Sequence, residues 1–216
     1  MIRSFDYMDV LYLVYAARWT LLLTLFAFAG AAVVGFLVAV LRLMPYAPLR
    51  WVALLYTHVV QGVPLLVWLF LLYFGVGAFG FDFSPWTAAA MAFSIYGGAF
   101  LGEVWRGALT SVPQTQWEAG ASLGLSFAQQ LRYTIIPQAV RIALPPTMGF
   151  LVQLTKNTSL AAVIGIVELT REGQLTSAAT FRPFTVYLVI SAIYFSMCFP
   201  LTQWSRSLER KMNGYS

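Results

Sequence analysis

Long charge-free stretches dominate the chain. The first runs from Trp19 to Leu41, 23 residues, and the second from Trp51 to Phe81, 31 residues, long enough to span with tilt or with a short re-entrant end. Ser84–Gly102 and Phe184–Ser205 are two more. Each is apolar around the whole helix circumference, without the one-sided stripe of a helix packed on a soluble core. A further stretch, Ile142–Val167, is apolar except for Lys156, which splits it into halves too short to cross a bilayer alone. Crossing takes about 20 apolar residues, so the two halves read together as one span interrupted by a cation. The pattern predicts an all-α integral membrane protein, a single domain over 1–216. Its five spans lie near 19–41, 51–79, 84–105, 142–167 and 184–205. Trp19, Trp51 and Trp86 open spans, and Trp105 and Trp204 lie near span ends. Amphipathic indoles favour that headgroup level.

Gly107–Arg141 is the sizeable polar interval, and it carries helix punctuation of its own. Thr115 with Glu118 fits a capping box, which predicts a short helix starting at Gln116. Pro113 precedes it, and Gly124 is a plausible stop. Ser126 with Gln129 fits a second capping box, and Pro137 should disturb the helix that follows. The interval reads either as a structured connection or as a docking helix that offers Trp117 and Leu123 to a partner.

Composition sharpens the class. Charged residues are 10% and hydrophobic residues 60%, with mean hydropathy +0.75. A soluble domain carries roughly 25% charged residues, so a soluble α/β enzyme and a disordered tail are both excluded. The net charge of +5 reads first as topology, because basic residues collect on the cytoplasmic side of spans. With the N-terminus outside, the inner segments hold Arg42, Arg50, Arg106, Arg132, Arg141, Arg206, Arg210 and Lys211. The outer segments hold Arg3, Arg18, Arg171 and Arg182. The imbalance predicts a C-terminus in the cytoplasm and places 107–141 there too. The first span is too long for a cleaved signal, and Asp6 and Asp9 precede it.

Several chemistries are missing. One cysteine, Cys198, and one histidine, His58, make neither a disulfide nor a zinc constellation. The only lysines are Lys156 and Lys211, and no glycine-rich loop ends in either, so ATP would have to be bound by another chain. The basic residues are dispersed, which gives no nucleic-acid surface.

Ionisable groups at membrane depth are costly, so they are functional candidates by default. Gln153, Lys156 and Asn157 fall at i, i+3 and i+4 and share one helix face. Lys156 suits a substrate carboxylate; alternatively it pairs with Glu103 as structural glue. Glu103 and Arg106, one turn apart, read as an interfacial ion pair. His58 and Gln61 share a face with Thr57 and Pro64, and serve either packing or a pathway. Gly97, Gly98 and Gly102 predict close helix packing.

The segment Gln116-Trp117-Glu118-Ala119-Gly120-Ala121-Ser122-Leu123-Gly124 resembles the EAA loop of ABC-importer permeases, more narrowly those of polar amino-acid uptake. The resemblance extends upstream to Gly102-Glu103-Val104-Trp105-Arg106-Gly107 and continues through Ile136-Pro137-Gln138-Ala139. Downstream it takes in Lys156-Asn157-Thr158-Ser159-Leu160 and Ile164-Gly165-Ile166-Val167-Glu168-Leu169-Thr170-Arg171. It implies a MetI-like permease of a bacterial inner membrane, paired with a second permease, identical or related. Two cytoplasmic ATPase subunits, which bind ATP and Mg, would receive the EAA helix. An extracytoplasmic binding protein would deliver the amino acid. The coupling residues implied are Gln116, Trp117, Glu118, Ala119, Gly120, Leu123 and Gly124. Lys156, Asn157, Ser159, Gln153, Glu103, His58 and Gln61 are the pathway candidates.

The departures are informative. Gly120 stands where the family has the second alanine, which should loosen that helix by up to about 1 kcal/mol. Thr115 replaces the usual glycine before the glutamine. His58-Val-Val-Gln61-Gly-Val-Pro64 replaces Glu-x-x-Arg-Gly-Thr-Pro, so the charged pair is gone. Asn157 stands where an aspartate is frequent. Two rival readings are a self-contained secondary carrier or channel, for which an interrupted span would suit a binding site, and a purely structural or enzymatic membrane subunit. The absence of an internal repeat counts against the carrier. The lack of a nucleophile–base or metal set counts against the enzyme.

Overall fold

The structure, a computed structural model, describes residues 4–213. Arg3, one of the outer basic residues counted above, lies outside the described residues. Helix α1 spans Tyr7–Leu43 and starts twelve residues before its charge-free run. Arg18, which bounds that run, lies inside the helix, and the acids Asp6 and Asp9 are the helix start. The Asp6 carboxylate accepts from the backbone of Met8 and Asp9, and the Asp9 carboxylate accepts from the Asp6 N–H. This reciprocal box satisfies N–H groups that have no partner within the helix. At 1.5 Å per residue α1 is about 55 Å long.

The second apolar run is not one straight span. Helix α2, Ala47–Gly62, and α3, Leu65–Phe70, meet at Val63-Pro64. A π turn, Leu71–Gly75, and a 3-10 turn, Val76–Phe79, prolong α3, and the two arms bend by 101°. Pro64 disfavours a helical conformation at the residue before it, and Val63 is extended, with φ −114° and ψ 134°. Pro64 also lacks the N–H that the Val60 carbonyl would have received in a continuous helix. The Trp68 indole Nε1 donates to that carbonyl instead, at 3.2 Å.

Helix α4, Pro85–Thr110, is the most enclosed of the long helices and carries a Ser84 cap. Small residues let it lie against α1. A Cβ added at Gly97 would sit 2.6 Å from the Ala31 Cβ, and one at Gly102 would sit 2.8 Å from the Val38 Cβ. The close packing expected at Gly97, Gly98 and Gly102 is therefore present. Leu23, Ala27, Phe93, Leu101 and Leu154 fill the main core beside this seam.

Helix α5, Gln114–Ser122, and α6, Phe127–Gln130, form the polar interval. The predicted Ser126–Gln129 capping box caps α6. The Thr115–Glu118 box does not form. Instead α5 starts two residues earlier, with Pro113 at its N-cap and no side-chain cap bond. Pro113 stands just outside the helix with ψ 141°, and its carbonyl accepts from the Gln116 N–H at 3.0 Å, so the first turn closes ahead of the threonine. Gly124 ends this region at φ +73°, as expected, a conformation that a Cβ would oppose.

A π turn, Leu131–Ile135, leads into α7, Ile136–Asn157. The extra residue of the π turn lies just before Pro137, which is the disturbance that the sequence predicted. Lys156 does not interrupt its helix. It occupies the last turn of α7, and a 3-10 turn, Thr158–Ile164, carries the helical path on to Gly165. Lysine is a good helix former, and a charge breaks an apolar count without breaking a helix. Helix α8, Leu169–Thr180, and α9, Pro183–Asn213, complete the chain. Among the described residues, α1, the Phe127–Ile164 path and α9 are long and apolar enough to cross a membrane. The bent pair α2–α3 makes a fourth. The fifth span expected, α4, has the length at 26 residues, but its glycines and polar residues dilute its hydropathy.

Candidate functional site

Two features stand apart from the packed bundle: the short helix α5 and a groove between α7 and α9. Helix α5 turns Gln116, Trp117 and Gly120 inward. Trp117 packs beside Val112, Ile135 and Ala139, and its ring stacks on Phe127 at 5.6 Å. It was expected as a free contact for a partner; the structure uses it to seat α5 on its own chain. The Gln116 side chain accepts from Gln138 Nε2 of α7 at 3.3 Å. Gly120 is buried, and a Cβ there would lie 2.9 Å from Gln130 Cγ. Gln130 is itself buried and donates to the Leu125 carbonyl. The glycine that was expected to loosen α5 is what lets α6 approach it.

The opposite face of α5 is open. Thr115, Glu118, Ala119 and Ser122 are exposed along it, and Leu123 at its end is 79% exposed. Phe127 and Tyr133 add exposed aromatic surface nearby. One face of α5 is thus held to the rest of the chain while the other presents a carboxylate and an unburied leucine.

The groove has a volume of about 280 Å³, near the lower end of ligand cavities at roughly 300 Å³. Lys156 of α7 and Arg206 of α9 both line it, together with Tyr194, Phe195, Cys198 and Phe199. Among the described residues, no carboxylate lies within ion-pair distance of Lys156. The groove thus joins two cations and two stacked phenyl rings, whose centroids are 4.9 Å apart. That set suits an anion on an apolar frame.

The binding-protein-dependent transport system inner membrane component family matches residues 31–214. The chain belongs to this family of membrane transport components. The permease is 39% identical over 204 residues to a probable amino-acid ABC transporter permease of Bacillus subtilis, YckA, covering 94% of this chain and 90% of that one. It is 35% identical over 202 residues to the glutamine transport system permease GlnP of Escherichia coli, covering 93% and 92%. A solved amino acid ABC transporter with histidines superposes with a TM-score of 0.88 at 32% identity, covering 97% of this chain and 100% of that one.

The permease does not gather its seven pathway candidates into one site. Lys156 lines the groove. Gln153, Asn157 and Ser159 lie beside it on the same helical path but do not line it; the Ser159 hydroxyl donates to the Lys156 carbonyl at 2.7 Å. Glu103 sits at the far end of α4, between two arginines. Arg106 Nη2 and Nε both lie 2.9 Å from its Oε2, and Arg42 Nη2 of α1 lies 3.4 Å from its Oε1. The alternative pairing of Glu103 with Lys156 is absent. Gln61 donates to the Ala99 carbonyl of α4, tying α2 to α4, and His58 beside it is exposed.

Sequence reasoning missed two residues of the permease. Glu168 is fully buried although it sits between helices, and Tyr194 links it to the groove. The available signal was position: Glu168 directly follows an eight-residue apolar run, Leu160–Val167.

Proposed function

We propose that this permease is the membrane-spanning subunit of a bacterial ATP-driven importer that carries a polar amino acid inward by alternating access. It stands in the inner membrane with its N-terminus outside and its C-terminus and α5 in the cytoplasm. Two ATPase subunits supply the ATP and Mg chemistry. A second permease, identical or related, completes the membrane path, and an extracytoplasmic binding protein loads it. The observation that carries this reading is α5, rigidly seated by Trp117, Gly120 and Gln116 and open along Glu118, Ala119 and Ser122. A rigid helix transmits a push, where a loose loop would absorb it. The groove supports the amino-acid assignment. Lys156 meets the carboxylate every amino acid carries, and charge-assisted bonds of this kind are about twice as strong as neutral ones. The substrates named for relatives, such as glutamine, make a polar side chain the natural choice.

The test is Glu118→Lys in the assembled transporter. Reversing the charge on the open face of α5 should abolish ATP-dependent uptake and release the ATPase subunits on purification, with membrane insertion unchanged. ATP-dependent uptake at the wild-type rate would end the assignment of α5 as the docking helix.

A further inference from the structure

Glu168 is a buried carboxylate that the transport reading leaves unused. It caps α8, its Oε1 accepting from the Arg171 N–H at 2.9 Å. Its Oε2 accepts from the Thr20 hydroxyl of α1 at 3.2 Å and from the Tyr194 hydroxyl of α9 at 3.1 Å. Thr20 Oγ1 in turn accepts from the Leu169 N–H at 3.2 Å. Thr170 Oγ1 lies 3.0 Å from the Tyr194 oxygen. The proton on Tyr194 is committed to Glu168, so Thr170 is the donor in that pair. With the carboxylate ionised, every donor in this network has an acceptor. Three helices meet at one side chain whose charge is met by hydrogen-bond donors, with no cation in ion-pair range among the described residues.

The network reaches the groove through one residue. Tyr194 is at once a partner of Glu168 and part of the wall that Lys156 and Cys198 share. Its ring therefore cannot turn without breaking bonds to α8. Cys198 is one turn along α9 and only 5% exposed, and it is the only cysteine in the chain.

We propose that Glu168 is a positioning residue for transport: by holding the Tyr194 hydroxyl it fixes the wall of the Lys156 groove and so sets how tightly substrate is held. The consequence for substrate rests on the reading of that groove as part of the transport path; the anchoring itself does not.

The experiment alkylates Cys198 with N-ethylmaleimide in membranes holding the complete transporter and follows this chain's own Cys198 peptide by mass spectrometry. Glu168→Leu and Tyr194→Phe should each speed labelling about fivefold or more, because both free the Tyr194 ring. Glu168→Gln, which keeps the shape and can still bond all three partners, should restore labelling to within about twofold of wild type. Thr20→Val removes a Glu168 partner on α1 but leaves the Tyr194 bond, and should also stay within about twofold. Labelling in Glu168→Leu at the wild-type rate overturns the proposal. Labelling in Thr20→Val as fast as in Glu168→Leu also overturns it, since the network would then only be a brace between helices.

Uptake in the same variants reads the second half, using whichever of the twenty labelled amino acids the wild-type transporter carries. Glu168→Leu should raise KM about tenfold, and Glu168→Gln should return most of it. Faster labelling with an unchanged KM would keep the anchor and remove the groove from the substrate path.

Discussion

Adding one methyl group at Gly98 puts the α1–α4 seam under direct test. A Cβ there would stand 2.6 Å from the Val34 Cβ and 3.3 Å from the Gly35 nitrogen. Carbon atoms rest about 3.5–4.0 Å apart, so the helices must separate by roughly 1 Å or Val34 must move. Overpacking of this kind costs about 1–3 kcal/mol. The better helix propensity of alanine returns at most about 1 kcal/mol. The expected net loss for Gly98→Ala is about 1–2 kcal/mol. At about 2–4 °C per kcal/mol for a chain of this size, Tm falls by roughly 2–8 °C. Val34→Gly removes both side-chain atoms in the way, the Val34 Cγ1 and the Cβ at 2.6 Å, at a helix-propensity cost of its own of up to about 1 kcal/mol. The double variant should therefore lose less stability than the two single losses added together, a coupling beyond the roughly 0.3–0.5 kcal/mol scatter of independent sites. Thermal unfolding of the detergent-purified protein measures all four members of the cycle. A Gly98→Ala variant as stable as wild type, or a strictly additive double variant, would refute the claim that backbone approach limits this seam.

Three other outcomes follow from the site. Lys156→Met should raise the KM for uptake by about tenfold to a hundredfold, the worth of one charge-assisted hydrogen bond at about 1.5–3 kcal/mol; Lys156→Arg should stay within a few-fold, and equal KM values for the two would discard the carboxylate contact. Gly120→Ala should push Gln130 away and weaken α5 by about 1 kcal/mol, read as about fivefold faster amide exchange confined to α5 and α6. Restoration by Gln130→Ala checks the cause. Glu103→Gln leaves Arg42 and Arg106 facing each other without their shared anion. It should lower stability by about 1–3 kcal/mol, between the exposed and buried extremes for ion pairs, and thermal unfolding reads it.

Features decided within a few residues were legible in the sequence. The Ser126–Gln129 box and the Gly124 stop need only neighbours three or four positions away, and both occur. The glycines of α4 were legible for a different reason: a residue without a side chain at helical spacing has few uses besides close approach. The errors share a cause, which is that a count of charge-free positions treats any charge as a boundary. Arg18 and Asp9 hid the first twelve residues of α1, although Arg18 lies inside that helix and Asp9 is part of the device that starts it. Lys156 suggested a broken span where the backbone is continuous. The family's alanine at position 120 made a glycine look like a weakness, because Gln130, the partner that needs the space, lies ten residues away. Pro64 was visible, but the direction and size of the bend depend on α4 and on Trp68, which no local rule supplies. Glu168 stayed hidden because its partners, Thr20 and Tyr194, are 148 and 26 residues distant.

The bond from Trp68 to the Val60 carbonyl also makes the order of mutations matter. If tryptophan is lost while Pro64 remains, that carbonyl is stranded in an apolar interior, at a cost of roughly 1–3 kcal/mol. If proline is lost first, residue 64 regains an N–H and can serve the carbonyl itself, after which the indole is dispensable. A lineage can therefore straighten this segment downhill by giving up Pro64 and then Trp68, and can acquire the bend only by installing the tryptophan before the proline. The two positions are inherited as a ratchet, and a descendant that keeps the proline has little freedom to drop the indole.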